Sequence, residues 1–285
     1  MCIIIALTGY HHQAAEEEEE AGHKLYSLKT DQNYILNWSL PEQSFFSERA
    51  RTTPLDRLHI TDGMNILEVG CGSGGVIARI ASTYPRVTIT GIDSSQKAID
   101  EAQRMADQQH LSNVRFIHAD AHSLPFDAGE FDLCFFQTVL MHLRDPHEAL
   151  AQMVNVTRSG GRITALAEGD WSHVGSQPAC DALDGIITLF LQAMARRGGD
   201  PFIGGKLSFF FEQLDVIEIE TFENMPREII TGKELLDNGY LAIASSFFDR
   251  EHFTDLLSQV EDWCDNARGY LVMPASFGAT AVKKH

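Results

Sequence analysis

Asn65-Ile66-Leu67-Glu68-Val69-Gly70-Cys71-Gly72-Ser73-Gly74-Gly75 decides the fold. An apolar run, Met64 to Val69, ends in a cluster of glycines, and a helical pattern follows at once with Val76, Ile77, Ile80 and Ala81. The order predicts strand, tight turn, helix. Glycines let the backbone bend sharply and leave no Cβ between it and a ligand. Such a turn lies outside the carboxyl end of a strand and at a helix N-terminus. In open α/β sheets nucleotide-like ligands sit there.

Two ligands compete for this turn. Gly70, Gly72 and Gly75 satisfy the dinucleotide pattern G-x-G-x-x-G, and an acid, Asp93, follows at a suitable distance. That reading makes the chain an NAD-binding Rossmann protein. The other reading uses Glu68, the acid just ahead of the loop. A carboxylate beneath the loop repels a pyrophosphate and attracts a cation. Glu68-Val69-Gly70-Cys71-Gly72-Ser73-Gly74 resembles motif I, acid-x-Gly-x-Gly-x-Gly, of the class I S-adenosylmethionine (SAM) methyltransferases. SAM carries a sulfonium and an ammonium and no phosphate, so the charge logic favours it. A tight turn with no ligand is the third reading, and an acid ending an apolar strand is costly unless something pairs with it.

The 285 residues suffice for one large α/β domain or two small ones, and 44% of them are hydrophobic, so a sizeable core can form. A net charge of −18 argues against nucleic-acid binding, which needs a basic face. Without the run Glu16–Glu20 the chain is still acidic. Small neutral or cationic substrates fit better than polyanions. The five cysteines show no C-x-x-C spacing and are odd in number, as expected of a reduced, intracellular protein. Cys2 to Leu7 is too short for a signal-peptide core or a membrane span. These features predict a cytoplasmic protein with no membrane partner; a homodimer is left open.

Residues 1–22 read as a disordered acidic tail, and His11-His12 within it as incidental rather than metal-binding. From Lys24 to Ile60 the pattern is broken and helical, rich in aromatic residues and punctuated by Pro41 and Pro54. After the glycine loop, Val87–Asp93 reads as the second strand and Gln96–His110 as a helix that Ser94 or Ser95 can cap. Asp93 can accept both ribose hydroxyls of an adenosine, under the NAD reading as under the SAM reading. Val114–His118 reads as a third strand, followed by Asp120-Ala121. Phe131–Phe136 is apolar nearly throughout, as a buried parallel strand should be. His118 and His122 straddle a strand end and a loop, so no metal site is read there.

The resemblance continues through this order. In the methyltransferase family an acid after the third strand contacts the adenine amino group, and Asp120-Ala121 resembles that motif. Leu124-Pro125-Phe126, then Phe131-Asp132, then Leu140, His142-Leu143 and Asp145-Pro146 resemble the branch containing the ubiquinone and menaquinone C-methyltransferases. There the end of the fourth strand lines the SAM site, which brings in Gln137. A helix from Pro146 to Thr157, the Gly160-Gly161 turn and a fifth strand, Ile163 to Ala167, also match. The resemblance is strong over about residues 60–170 and weakens beyond Trp171. Ala179–Arg197 and Ile203–Gln213 read as helices, Leu214–Phe222 as the sixth strand, and Tyr270–Lys283 as the last. The resemblance implies a doubly wound, Rossmann-like seven-stranded α/β sheet, mostly parallel with an antiparallel last strand. It implies one methyltransferase domain over 23–285, with helical lid insertions at about 176–212 and 226–268.

Methyl transfer from a sulfonium is an in-line displacement, for which the protein must align the reactants, exclude water and, where needed, remove a proton. G-x-S-x-G, the P-loop pattern and H-E-x-x-H are absent, so hydrolase, P-loop and zincin chemistry is unsupported. The expected cofactor site is Glu68, Gly70, Gly72, Gly74, Asp93, Ser94, Asp120, Ala121 and Gln137. His142, Glu168 and Asp170 are the candidates for substrate-side chemistry. His142 can orient SAM, act as a base or simply pack; Glu168 and Asp170 can accept a proton, hold a cationic substrate or cap a helix. Trp171 can offer a cation–π face or pack. The expected function is transfer of a methyl from SAM to O, N or C of a small molecule. The alternatives are a SAM-binding enzyme of non-methyl chemistry, such as a cyclisation, and the NAD-binding Rossmann protein.

Overall fold

A computed structural model describes residues 55–225, 229–232, 235 and 250–285. The expected tail over 1–22, nearly all of the aromatic stretch after it and much of the second insertion lie outside the described residues. The chain runs β1 (Asn65–Val69), α1 (Gly75–Thr83), β2 (Thr88–Asp93), α2 (Gln96–Gln108), β3 (Val114–His118), β4 (Phe131–Phe136), α3 (Pro146–Val156) and β5 (Thr157–Asp170). It continues with β6 (Gly175–Gln177), α4 (Asp181–Arg196), α5 (Leu207–Glu212), β7 (Val216–Met225), β8 (Ile229–Thr231), α6 (Arg250–Ala267), β9 (Tyr270–Val272) and β10 (Ala275–Lys283).

Seven strands form one sheet in the order β3-β2-β1-β4-β5-β10-β7. The β1–β2, β2–β3, β1–β4 and β4–β5 pairs are parallel, and β10 runs antiparallel to both β5 and β7. The expected doubly wound sheet with one reversed strand is therefore present. The strand order turns back between β1 and β4, which opens a crevice at their carboxyl ends.

Alternation along the strands divides the core into two layers. Leu67, Val69, Cys134 and Phe136 point to one face, where they meet Leu150 and Met153 of α3, Phe190 of α4 and Phe211 of α5. Ile66, Leu133 and Phe135 point to the other, against Ile77 and Ile80 of α1 and Ile99 of α2. The helices start where their capping residues stand. Ser95 Oγ accepts the Ala98 N–H at the head of α2. Asp145 accepts the Glu148 N–H at the head of α3, with Pro146 in the first turn.

Three expectations are corrected. The fifth strand is not Ile163–Ala167 but the longer β5, because the Gly160-Gly161 turn is a bulge inside it. Thr157 pairs with Phe131 and Arg162 with Leu133, so the extra residues loop out. A Cβ on Gly161 would stand 2.9 Å from the carbonyl oxygens of Arg158 and Asp132, so only glycine fits this bulge. The last strand breaks at Met273-Pro274 into β9 and β10, and β9 leaves for a separate three-stranded sheet, β6-β9-β8. Ile203–Gln213 opens as a 3-10 turn, Ile203–Lys206, before α5. The small sheet, α4 and α6 share a third core around Leu183, Ile186, Leu256, Val260 and Trp263.

Candidate active site

The glycine loop caps the carboxyl end of β1. Gly70 and Gly72 have φ of 71° and 52°, in the left-handed region that favours glycine. They answer different needs. A Cβ on Gly70 would lie 2.5 Å from Val139 Cγ2, so this glycine lets the turn after β4 approach. A Cβ on Gly72 would meet nothing within 4 Å, so it faces open space. Gly74 packs against Ala102, Met105 and Phe116. Asp93, at the end of β2, ties this loop to its own: Oδ2 accepts the Gly72 N–H at 2.9 Å and Oδ1 the Ser95 N–H at 2.8 Å. Ser94 is exposed beside it.

Glu68 lies under the loop, 3% exposed, and its Oε2 is buried with no hydrogen-bond partner. Burial pushes its carboxyl well above the usual range, and the nearby Asp93 carboxylate pushes it further. An orphaned buried carboxylate oxygen is costly unless a donor comes to it. A ligand bearing an ammonium supplies that donor, and the space above Gly72 gives it room. The residues present therefore fit SAM, and they oppose a pyrophosphate.

At the end of β3, Asp120 Oδ1 accepts the His122 N–H at 2.9 Å and lies 2.8 Å from His122 Nδ1. These contacts, the backbone N–H foremost, hold the exposed Asp120 carboxyl below its ordinary value. Its other oxygen makes neither of these contacts. Ala121 is half-buried. His118 turns away to the Ser94 carbonyl at 2.9 Å. Among the described residues no group of His, Cys, Asp and Glu could hold a metal ion.

The ends of β4 and β5 meet, as expected for neighbouring parallel strands. The Thr138 N–H donates to the Ala167 carbonyl at 2.7 Å. Glu168 Oε1 accepts the Val139 N–H at 2.7 Å and Oε2 the Met141 N–H at 3.2 Å. Glu168 is fully buried, so both oxygens are taken up by the protein's own backbone, against the expectation of a carboxylate open to a substrate. Burial pushes its pKa up to about 7, opposed by the N–H groups of Val139, Met141, Leu140 and Thr138.

His142 ends the 3-10 turn Leu140–His142 and is partly buried. Burial lowers its imidazole to about 4, and the Arg197 charge acts in the same sense. Of the roles left open for His142, the base role is the one this weakens, since an ordinary imidazole titrates near 6.5. Asp170 Oδ1 accepts the Ser172 N–H, and the Trp171 ring packs 4.8 Å from Phe190 of α4. Gln137 is half-buried in the same turn.

The first insertion docks on these strand ends by backbone. The Asp200 N–H donates to the Met141 carbonyl at 2.9 Å and the Trp171 N–H to the Pro201 carbonyl at 3.2 Å. Gly199 and Gly204 allow the approach, since a Cβ on either would collide with Met141 O or Glu168 O. Sequence reasoning missed Val139, which joins the β4 turn to the glycine loop, and Phe190, which backs Trp171. Gly198-Gly199 and Gly204-Gly205 were the available signal for the docking.

Known proteins match this chain where these strand ends lie. A family model described as a methyltransferase domain matches residues 60–176. An O-methyltransferase of Pyrenophora dematioidea is 33% identical over 46% of this chain and 51% of its own length. The 27-O-demethylrifamycin SV methyltransferase of Amycolatopsis mediterranei is 34% identical over 50% of this chain and 52% of its own. The chain thus spans about half the length of these curated relatives. A Haemonchus contortus phosphoethanolamine N-methyltransferase, solved with S-adenosylhomocysteine, shares the fold at a TM-score of 0.55 and 16% identity, over 84% of this chain and 53% of its own. Residues 60–176 therefore match the methyltransferase domain family, and the sheet they belong to has the fold of the solved methyltransferase.

Proposed function

We propose that this chain transfers the methyl group of SAM to an oxygen of a small, neutral or cationic molecule, and that residues 23–285 act as one domain with helical lid insertions. The observation that carries the reading is the buried, unpartnered Oε2 of Glu68 beneath a glycine loop with open space above it. SAM, when bound, supplies a methyl already activated on a sulfonium. The residues of this chain hold and align it. Glu68 receives the ammonium, and Gly70, Gly72 and Gly74 give the backbone of the loop its approach. Asp93, with Ser94, receives the ribose hydroxyls on the lone pairs its two backbone bonds leave free. Asp120, Ala121 and Gln137 border the adenine and the methyl-bearing end. The oxygen preference rests on the two curated relatives that carry O-methyltransferase names.

His142 and Asp170 are the groups of this chain proposed to take a proton from an attacking hydroxyl. His142 suits the task in one respect, since its neutral form dominates at neutral pH. Its lowered pKa makes it a weak base, so alignment at the strand ends does most of the work. Calorimetric titration with SAM and with NADH tests the cofactor: SAM binding with no NADH binding supports the reading, and the reverse overturns it. Mass spectrometry of a metabolite extract incubated with the protein and methyl-labelled SAM identifies the acceptor and the atom methylated. S-adenosylhomocysteine as a product separates methyl transfer from SAM-dependent cyclisation.

A further inference from the structure

We propose that Glu168 is a positioning residue: its carboxylate fixes the turn after β4 and, through Val139, sets how closely that turn approaches the glycine loop at Gly70. The inference rests on the SAM site proposed above.

A carboxylate as buried as Glu168 needs either a cation or a set of donors. No side-chain charge acts appreciably on its carboxyl; the forces on it are burial and the N–H groups of Thr138, Val139, Leu140 and Met141. The Val139 and Met141 N–H groups of one turn converge on this anion much as in a nest, and here the anion belongs to the protein. Across β10, Ser276 and Phe277 lie in register with Gly169 and Glu168 and bring no charge. Gly204 covers the strand from the docked insertion, its would-be Cβ 2.5 Å from the Glu168 carbonyl. His142, on the turn itself, and Asp170, farther along β5, are the neighbouring titratable groups.

The turn so held is strained. Thr138 has φ of 56°, which a β-branched residue rarely adopts, and its N–H is pinned to the Ala167 carbonyl. Strain of this kind persists where surrounding bonds over-determine the backbone, and Glu168 and Ala167, adjacent on β5, supply them. The next residue, Val139, carries the effect onward. Its N–H is on Glu168 Oε1 and its Cγ2 presses on Gly70, the first glycine of the loop. The chain of contact therefore runs from the end of β5, through the β4 turn, to the end of β1. A role as proton acceptor is opposed by the same geometry, since a substrate would have to displace bonds that shape the turn.

Glu168→Gln keeps the side chain's shape and replaces one acceptor by a donor that faces the Val139 or Met141 N–H. At pH 8, where Glu168 is ionised, hydrogen–deuterium exchange at the amides of Val139 and Met141 should quicken at least tenfold in E168Q. S-adenosylhomocysteine should bind at least fivefold more weakly, while turnover at saturating SAM changes less than threefold. Turnover lowered a hundredfold with exchange and binding unchanged would make Glu168 a base and overturn the proposal. Val139→Ala tests the second link independently of whether E168Q folds. It should weaken binding while the turn amides stay protected, and wild-type binding in V139A overturns that link. Failure of the wild-type protein to bind S-adenosylhomocysteine would instead sink the cofactor reading, with the exchange result still reporting on the anchor.

Discussion

Asp93 serves the structure, and in the proposed function it serves the ligand as well. Its two oxygens already hold the Gly72 and Ser95 N–H groups, so a bound ribose must use the remaining lone pairs. Asp93→Ala leaves both N–H groups loose and removes the acceptors for the ribose. Calorimetry should show SAM affinity lower by about 2–4 kcal/mol in a protein that remains folded. Unchanged affinity would remove Asp93 from the ribose site. The position of Asp93 was legible because an acid directly after a β-branched strand stands out. What it bonds was not, since those partners are backbone groups from another loop. His142 has a parallel history. An ordinary imidazole titrates near 6.5, whereas burial and Arg197 bring this one to about 4. If His142 is the base, His142→Ala lowers kcat by roughly 10²-fold. The wild-type rate then stays level through pH 6.5 and falls only toward pH 4. A limb at 6.5 that the mutant loses would show an imidazole far more hydrated than this geometry allows.

Elements were legible where periodicity ran long enough to read. Apolar β1 and β4, alternating with α1, α2 and α3, fixed a parallel sheet and its switch point, and with them the cluster of Glu68, the glycines and Asp93. The three-residue strands β6, β8 and β9 are too short to carry a period, so the small sheet was invisible. The bulge in β5 was read as a turn because Gly-Gly signals both. Asp132 holds this corner of the sheet, accepting from Arg158 Nε and from the Asn65 N–H, each at 2.7 Å, and sequence alone cannot show such cross-strand ties. The contact of the β4 turn with the glycine loop makes a testable pair. Gly70→Ala puts a methyl against Val139 and strains a left-handed backbone, and should lower stability in urea by about 1–3 kcal/mol. Adding Val139→Ala should restore part of that loss, leaving the backbone strain. Equal destabilisation of the single and double variants would show that the contact is not what limits residue 70. Gly72→Val differs in kind: its space is open, so it should abolish SAM binding through a bulky β-branched side chain standing where the ligand goes.

At the scale of the whole molecule, two shifted groups at neighbouring strand ends set opposing pH dependences. Glu168 is raised from 4.5 to about 7, so the folded protein binds its proton more tightly than the unfolded chain. Its contribution to stability is full below 4.5 and is lost as pH rises through 7. His142 is lowered from 6.5 to about 4, so the unfolded chain binds that proton more tightly. Its contribution is full above 6.5 and is lost as pH falls toward 4. Between roughly 4.5 and 6.5 the two slopes oppose each other and largely cancel, although the partial exposure of His142 weakens its side of the balance. Glu168→Gln removes one slope and exposes the other. The stability of E168Q minus that of the wild type, from urea unfolding at each pH, should therefore rise by about 3 kcal/mol between pH 4.5 and 7. Glu68, whose carboxyl is also raised, is present in both proteins and drops out of the difference. A difference that stays constant across this range would mean that Glu168 keeps an ordinary pKa. The backbone donors of the turn would then outweigh its burial, and the carboxylate would be ionised throughout the physiological range.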